Sequence, residues 1–194
     1  DGLQHYRLHR DFEIAVVDGS RLLGNGFLLP AGPLRELPER LQSVDLVFIN
    51  QRDVQSANHD DHLPVLNNKA RYRVKLTQLR SIKSNMLWEI ASFHGQEVHV
   101  VTGIGNPSAF LEALQEQGIK VIPRILPDHA GITQQDIYFA DTLPVFMTAK
   151  DAVKCGKLDI DERYWIVDAQ AVFDEDVASL VIDRLQTIIR HPGG

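Results

Sequence analysis

Cysteine is nearly missing from this chain: Cys155 stands alone among 194 residues. A single thiol excludes an intramolecular disulfide and fits a reducing compartment. It follows Val153-Lys154 in a helical pattern with no obvious base beside it, so it reads as an inert, partly buried thiol rather than a nucleophile. No apolar run approaches the roughly 18–20 residues that a membrane-spanning helix needs, and no signal-peptide pattern is visible. Basic residues are outnumbered, with 20 Lys and Arg against 26 Asp and Glu and a net charge of −6. That balance argues against a general nucleic-acid binder, which needs basic excess to displace counterions. An initiator Met is also lacking, which sets the expectation that the gene product starts upstream of Asp1. No internal repeat or low-complexity tract appears.

What is present is globular. The composition is 44% hydrophobic and 24% charged, far from the signature of disorder, and the length suits one ordinary domain or two small ones. Residues 12–18 and 44–49 are near-continuous apolar runs, the pattern of parallel strands covered on both faces. Between them lies a loop punctuated by Gly24, Gly26, Pro30, Gly32 and Pro33. Such punctuation fixes an unusual path and is more often functional than accidental. Residues 51–68 are polar and without period, so a domain boundary is expected near their end. Arg71, Arg73 and Lys75 then alternate with Tyr72, Val74 and Leu76, as on a half-exposed strand. Arg80 and Lys83 extend its basic face, which is either a solvated surface or one that meets an anion or a membrane.

From Glu97 the pattern repeats strand, loop and helix. Strands are predicted at 98–102, 121–126, 145–148 and 164–167, with Pro123 marking an edge strand. Asn106 suits an N-cap, Pro107 the first helical position and Gly118 the stop. Phe110, Leu111 and Leu114 form that helix's apolar stripe. Thr133 and Asp136 resemble a capping box. Asp174 is placed to cap a last helix, in which Val177, Leu180, Val181, Leu185, Ile188 and Ile189 share one face. The alternation predicts a mainly parallel α/β unit.

Four groups of residues can carry chemistry. Asp1-Gly2-Leu3-Gln4-His5 offers a carboxylate to a hard cation, a glycine for close approach, and two hydrogen-bonding side chains; taken alone, Asp-Gly reads as a turn. Arg35-Glu36, at the end of the Gly/Pro loop, pairs a guanidinium fork for phosphate or carboxylate with an acid for a sugar hydroxyl. Gly103-Ile104-Gly105-Asn106-Pro107 is a tight strand-to-helix turn beside a ligand cleft and not a dinucleotide fingerprint, since Ser108 breaks GxGxxG. Asp128-His129 can act as an oriented acid–base pair. Lys150 and Lys154 lie four apart, to meet phosphate or simply to face solvent. The eight histidines show no metal-binding spacing, and His59 and His62 read as solvated.

In this order the pieces resemble the tetraacyldisaccharide 4'-kinases of lipid A biosynthesis. The resemblance rests on Asp1-Gly2-Leu3-Gln4-His5 with Arg7, Leu8 and Asp11, on Val17-Asp18-Gly19, and on Gly24-Asn25-Gly26 with residues 29–36. Residues 103–107 with Phe110, then Asp128-His129, Thr148 and residues 150–155 complete it. It implies a P-loop NTPase-like parallel-sheet domain, of which residues 1–68 are the remainder with the substrate loop. Linker strands at 69–96 and a smaller α/β domain at 97–194 follow, with the active site between the domains. It further implies ATP- and Mg²⁺-dependent phosphorylation of the 4'-hydroxyl of a tetraacyl glucosamine disaccharide 1-phosphate, at the cytoplasmic face of the bacterial inner membrane. The partners implied are this lipid A precursor and the anionic membrane surface, with no nucleic acid.

By the same likeness Asp1 is catalytic and serves the Mg²⁺–ATP site, as the second acid of an Asp-Asp-Gly motif. Gln4, His5, Arg35 and Glu36 bind substrate, and His129 is catalytic, supporting an upstream Asp that activates the hydroxyl. Two departures stand out. The sequence has no GxxxxGK[ST] run, so the P-loop is expected in sequence beyond this chain, and the chain by itself is expected to be inactive. The family's Thr-Glu-Lys-Asp is here Thr148-Ala149-Lys150-Asp151. The rival readings are a non-catalytic α/β binding remnant and another P-loop phosphotransferase acting on a lipid or sugar.

Overall fold

The computed structural model describes residues 2–19, 21–51, 63–128, 130–173 and 175–190. In chain order the strands are β1 (Ile14–Asp18), β2 (Leu46–Asn50), β3 (Lys69–Ser81), β4 (Leu87–Glu89), β5 (Glu97–Thr102), β6 (Lys120–Ile125), β7 (Val145–Thr148) and β8 (Tyr164–Phe173). The helices are α1 (Pro107–Glu116), α2 (Gln134–Ile137), α3 (Ala149–Ala152) and α4 (Glu175–Arg190). The chain divides into two compact units, residues 1–74 with 171–194, and residues 75–170. Both β3 and β8 therefore begin in one unit and end in the other.

In the first unit β1 pairs with β2, and β2 with the start of β3, all parallel. Ala15, Val17, Leu41, Val44, Val47 and Ile49 form its core. Phe48, Tyr72 and Phe173 cluster with ring centroids 5.0–6.4 Å apart, Phe48 meeting Tyr72 edge to face and Phe173 tilted against both. β1 departs from the two-sided burial expected of it: Ile14 and Val16 are 41% and 63% exposed. The reason is local, because both line a cleft. Burial along α4 also fades, from Val177 at 9% to Leu185 at 41% and Ile189 at 75%. Of the described side chains on the shared apolar face, Val177 is thus covered while Leu185 and Ile189 are open. Asp174, its expected cap, lies outside the described residues.

The second unit is layered because its parallel strands are apolar on both faces. Its parallel strands run β6-β5-β7-β8, with β3 beside β8 and β4 antiparallel to β3. Side chains of successive strand residues point to opposite faces. Val98, Val100, Phe146, Trp165 and Val167 accordingly pack on one side with Phe110 and Leu114 of α1. Val101, Val145, Met147, Tyr164 and Ile166 pack on the other with Ile132, Ile137 and Cys155. The Asn106 side chain accepts from the Ala109 amide, Gly118 takes φ +75°, and Thr133 with Asp136 forms the capping box. β6, with Pro123, is the edge strand.

The basic strand is less regular than its sequence. Arg73, Val74 and Lys75 are all exposed, between the stretch paired with β2, which ends at Tyr72, and that paired with β4, which begins at Gln78. Arg80 does not extend the basic face, because its guanidinium is paired with Asp168 at 3.0 Å. Among the described residues no helix is long and apolar enough to cross a membrane. His99 is a core histidine, stacked on Phe139 at 3.6 Å with Nε2 2.9 Å from Asp141.

Candidate functional site

In the first unit, the 2–4 turn, β1 and the Gly/Pro loop enclose a cleft of about 630 Å³. Gln4, Arg35 and Glu36 all line it, and His5 stands outside that lining. Gln4 Nε2 donates to Glu36 Oε1 at 2.6 Å across 32 residues of sequence. Glu36 is half-buried and Arg35 exposed.

The loop that delivers Arg35 and Glu36 is built around Asn25. Its amide donates to the Ala31 carbonyl at 3.0 Å, and its Oδ1 accepts from the Phe27 amide at 3.2 Å. The Leu34 amide donates to Phe27 O and the Leu29 amide to Leu34 O. Only glycine fits at position 32, where a Cβ would fall onto the Asn25 side chain and the Phe27 carbonyl. The Leu29–Pro30 peptide is cis.

Three residues that sequence reasoning missed hold this cleft together. Arg40 donates from Nη2 to both Glu13 oxygens, at 2.8 and 2.9 Å, while its Nε lies 3.4 Å from Glu36. Arg10 pairs with Glu13 at 3.0 Å and donates to the carbonyls of Gly2 and His5. The chain Gln4–Glu36–Arg40–Glu13–Arg10 thereby ties the start of the described sequence to the loop. The Arg40 hydrogen bond holds the Glu13 carboxyl below the usual carboxylate range, and Glu13 in return raises Arg40. The sole sequence signals for this network were the i,i+4 spacing of Glu36 and Arg40 and the i,i+3 spacing of Arg10 and Glu13.

The second unit gathers another polar cluster. Asp151 is fully buried. Its carboxylate accepts from Thr148 Oγ1 at 2.8 Å, Thr102 Oγ1 at 3.1 Å and the Gly103 amide at 3.3 Å, with Lys154 Nζ 3.4 Å away. Lys150 Nζ lies 3.2 Å from Asp128. Both lysines therefore face carboxylates. Ala149 is exposed, so an acid at this position would displace no core. Burial, then the Asp151 charge, pushes the Cys155 thiol up to about 11, which makes it the inert thiol expected. Asp1, His129, His59 and His62 lie outside the described residues. Among the described residues no three His, Cys, Asp or Glu side chains gather to hold a metal.

The fold and cleft define an α/β protein with a parallel-dominated sheet, whose first unit presents a loop-framed cleft with charged side chains set in a largely apolar lining. The sequence pattern described as tetraacyldisaccharide-1-P 4'-kinase (LpxK) matches residues 1–186, and the chain belongs to that family. A tetraacyldisaccharide 4'-kinase from Nitrosococcus oceani is 41% identical over 186 residues, covering 96% of this chain and 51% of that protein. One from Pseudomonas aeruginosa is 43% identical over 171 residues, covering 87% and 48%. A crystal structure of the "apo" form of LpxK from Aquifex aeolicus in complex with ATP shares the fold, with a TM-score of 0.65 at 22% identity, over 95% of this chain and 56% of that one. The chain thus spans about half the length of the relatives it matches.

Proposed function

We propose that this chain is part of a kinase that transfers the γ-phosphoryl group of ATP to the 4'-hydroxyl of a tetraacyl disaccharide 1-phosphate, in lipid A biosynthesis. The observation that carries this reading is the family match over residues 1–186. The cleft is compatible with it: Glu36 can accept from a sugar hydroxyl, and Arg35 can meet a phosphate. Gln4 and Arg40 hold Glu36 in place for that task. Phosphoryl transfer needs positioning and charge more than covalent chemistry, so such preorganisation is the kind of contribution expected.

Asp1, whose carboxylate oxygen suits a hard cation, serves the Mg²⁺–ATP site, and His129 supports the acid that activates the hydroxyl. When bound, Mg²⁺ neutralises phosphate charge and ATP supplies the group transferred. In linear order the nucleotide-domain, linker and smaller-domain segments are 1–68, 69–96 and 97–194, of which residues 171–194 group with the first unit. A protein of the family's full length, carrying these residues, is expected to convert the disaccharide 1-phosphate to its 4'-phosphate with ATP and Mg²⁺. Absence of that product, with another lipid or sugar phosphorylated instead, refutes the assignment.

Work at the inner-membrane surface is part of the same reading, motivated by exposed Arg73 and Lys75. Replacing both with Glu is expected to weaken binding to anionic vesicles by about 30-fold or more, at about 1 kcal/mol for each basic residue lost near such a surface. Unchanged sedimentation removes these residues from membrane contact.

A further inference from the structure

In the second unit β5 is followed by β6 on one side and by β7 on the other, so the strand order reverses between β5 and β7. In open parallel sheets the crevice outside the carboxyl ends of two such strands is where ligands bind. Those ends are Thr102 and Thr148, and both hydroxyls donate to the buried carboxylate of Asp151. A buried ion pair is weak evidence for stability, since apolar residues of similar size often serve as well. Its location at the strand reversal invites a different reading.

We propose that helix α3 positions Asp128, with Lys150 holding its carboxylate directly and Asp151 holding the turn against which it packs. This rests on the kinase reading, in which the Asp128-His129 loop takes part in the reaction. The geometry is continuous. Asp151 fixes the Gly103 amide at 3.3 Å, and the Gly103–Gly105 turn lies directly against the 127–128 segment. A Cβ at Gly103 would come within 3.3 Å of the Pro127 carbonyl, and one at Gly105 within 3.3 Å of Asp128 Oδ2. One residue before Asp151, Lys150 reaches Asp128 from the same helix at 3.2 Å. The helix thus reaches Asp128 directly through Lys150 and indirectly through the Gly103–Gly105 turn, where two glycines leave room for the contact. Lys150, Asp151 and Gly105 are positioning residues; none needs to touch substrate.

The test compares Lys150→Met, Lys150→Arg and Gly105→Ala in the full-length protein. Lys150 is half exposed, and Gly105 lies outside the left-handed region, so all three variants should fold. Lys150→Met and Gly105→Ala are expected to lower kcat about 3- to 10-fold with KM for both substrates unchanged, because small misplacements of reacting groups cost rate rather than affinity. Lys150→Arg should restore most of the loss. Amide hydrogen exchange over residues 126–130 should quicken in the first two variants and not in the third. Unchanged exchange, or quickened exchange with an unaltered kcat, overturns the proposal. Altered exchange in a protein that phosphorylates no disaccharide supports the positional coupling and overturns the kinase reading instead.

Discussion

Replacing Glu36 with Ala in a protein of the family's full length is expected to lower kcat/KM for the lipid acceptor by about 100-fold. A hydrogen bond from a sugar hydroxyl to a carboxylate contributes about 1.5–3 kcal/mol, and 1.36 kcal/mol is a factor of ten. Glu36 is also the acceptor for Gln4 Nε2 at 2.6 Å and a neighbour of Arg40 at 3.4 Å. Its removal loosens the 2–4 turn as well as the direct contact. Stability should change little, since Arg40 keeps both oxygens of Glu13. Glu36→Gln retains an acceptor for Gln4 and should lose about tenfold through the missing charge. Steady-state kinetics beside thermal melts make the comparison. Turnover of Glu36→Ala within threefold of the wild type would remove Glu36 from the substrate site.

Local signals in the sequence were legible because their physics is local. The Asn106 cap, Pro107 at the first helical position, left-handed Gly118 and the Thr133–Asp136 box each depend on residues a few positions apart. The same holds for the short apolar strands of the second unit. What escaped was set by distant partners. Glu13 and Arg40 are 27 residues apart, and nothing in a one-dimensional pattern brings them together. β8, expected over residues 164–167, continues through Asp168 to Phe173. Asp168 is tolerated in mid-strand because Arg80 and Gln78 donate to it from β3, and the Arg80 hydrogen bond holds its carboxyl below the ordinary range. That same pairing removes Arg80 from the basic face. The Gly/Pro loop was recognisable as special, and Arg35-Glu36 as its chemical end, yet Asn25 as its staple was visible only in three dimensions.

The staple makes Gly32→Ala the second large expected effect. The new Cβ would fall onto the Phe27 carbonyl and the Asn25 side chain, one of them backbone that cannot swing aside. Accommodation requires the loop to open. That breaks the Asn25 bonds to Ala31 and Phe27 and the Leu34-to-Phe27 link that precedes Arg35 and Glu36. A shift of about 1 Å in a positioning group costs on the order of 100-fold in rate, so kcat/KM should fall by about that factor. The melting temperature should move by no more than about 4 °C, corresponding to roughly 1 kcal/mol in a unit of this size. Little buried surface is at stake, because Phe27 and Leu29 are already 63% and 62% exposed while Val47 and Ile49 remain in the core. Gly26→Ala is the matched control: its Cβ meets nothing within 4 Å, although φ is +75°. It carries only the cost of left-handed backbone, about 1–2 kcal/mol. A Gly32→Ala protein with normal kinetics would show that Arg35 and Glu36 are held by something other than this loop. Equal kinetic losses in both variants would point to loop strain in general rather than to the Asn25 staple.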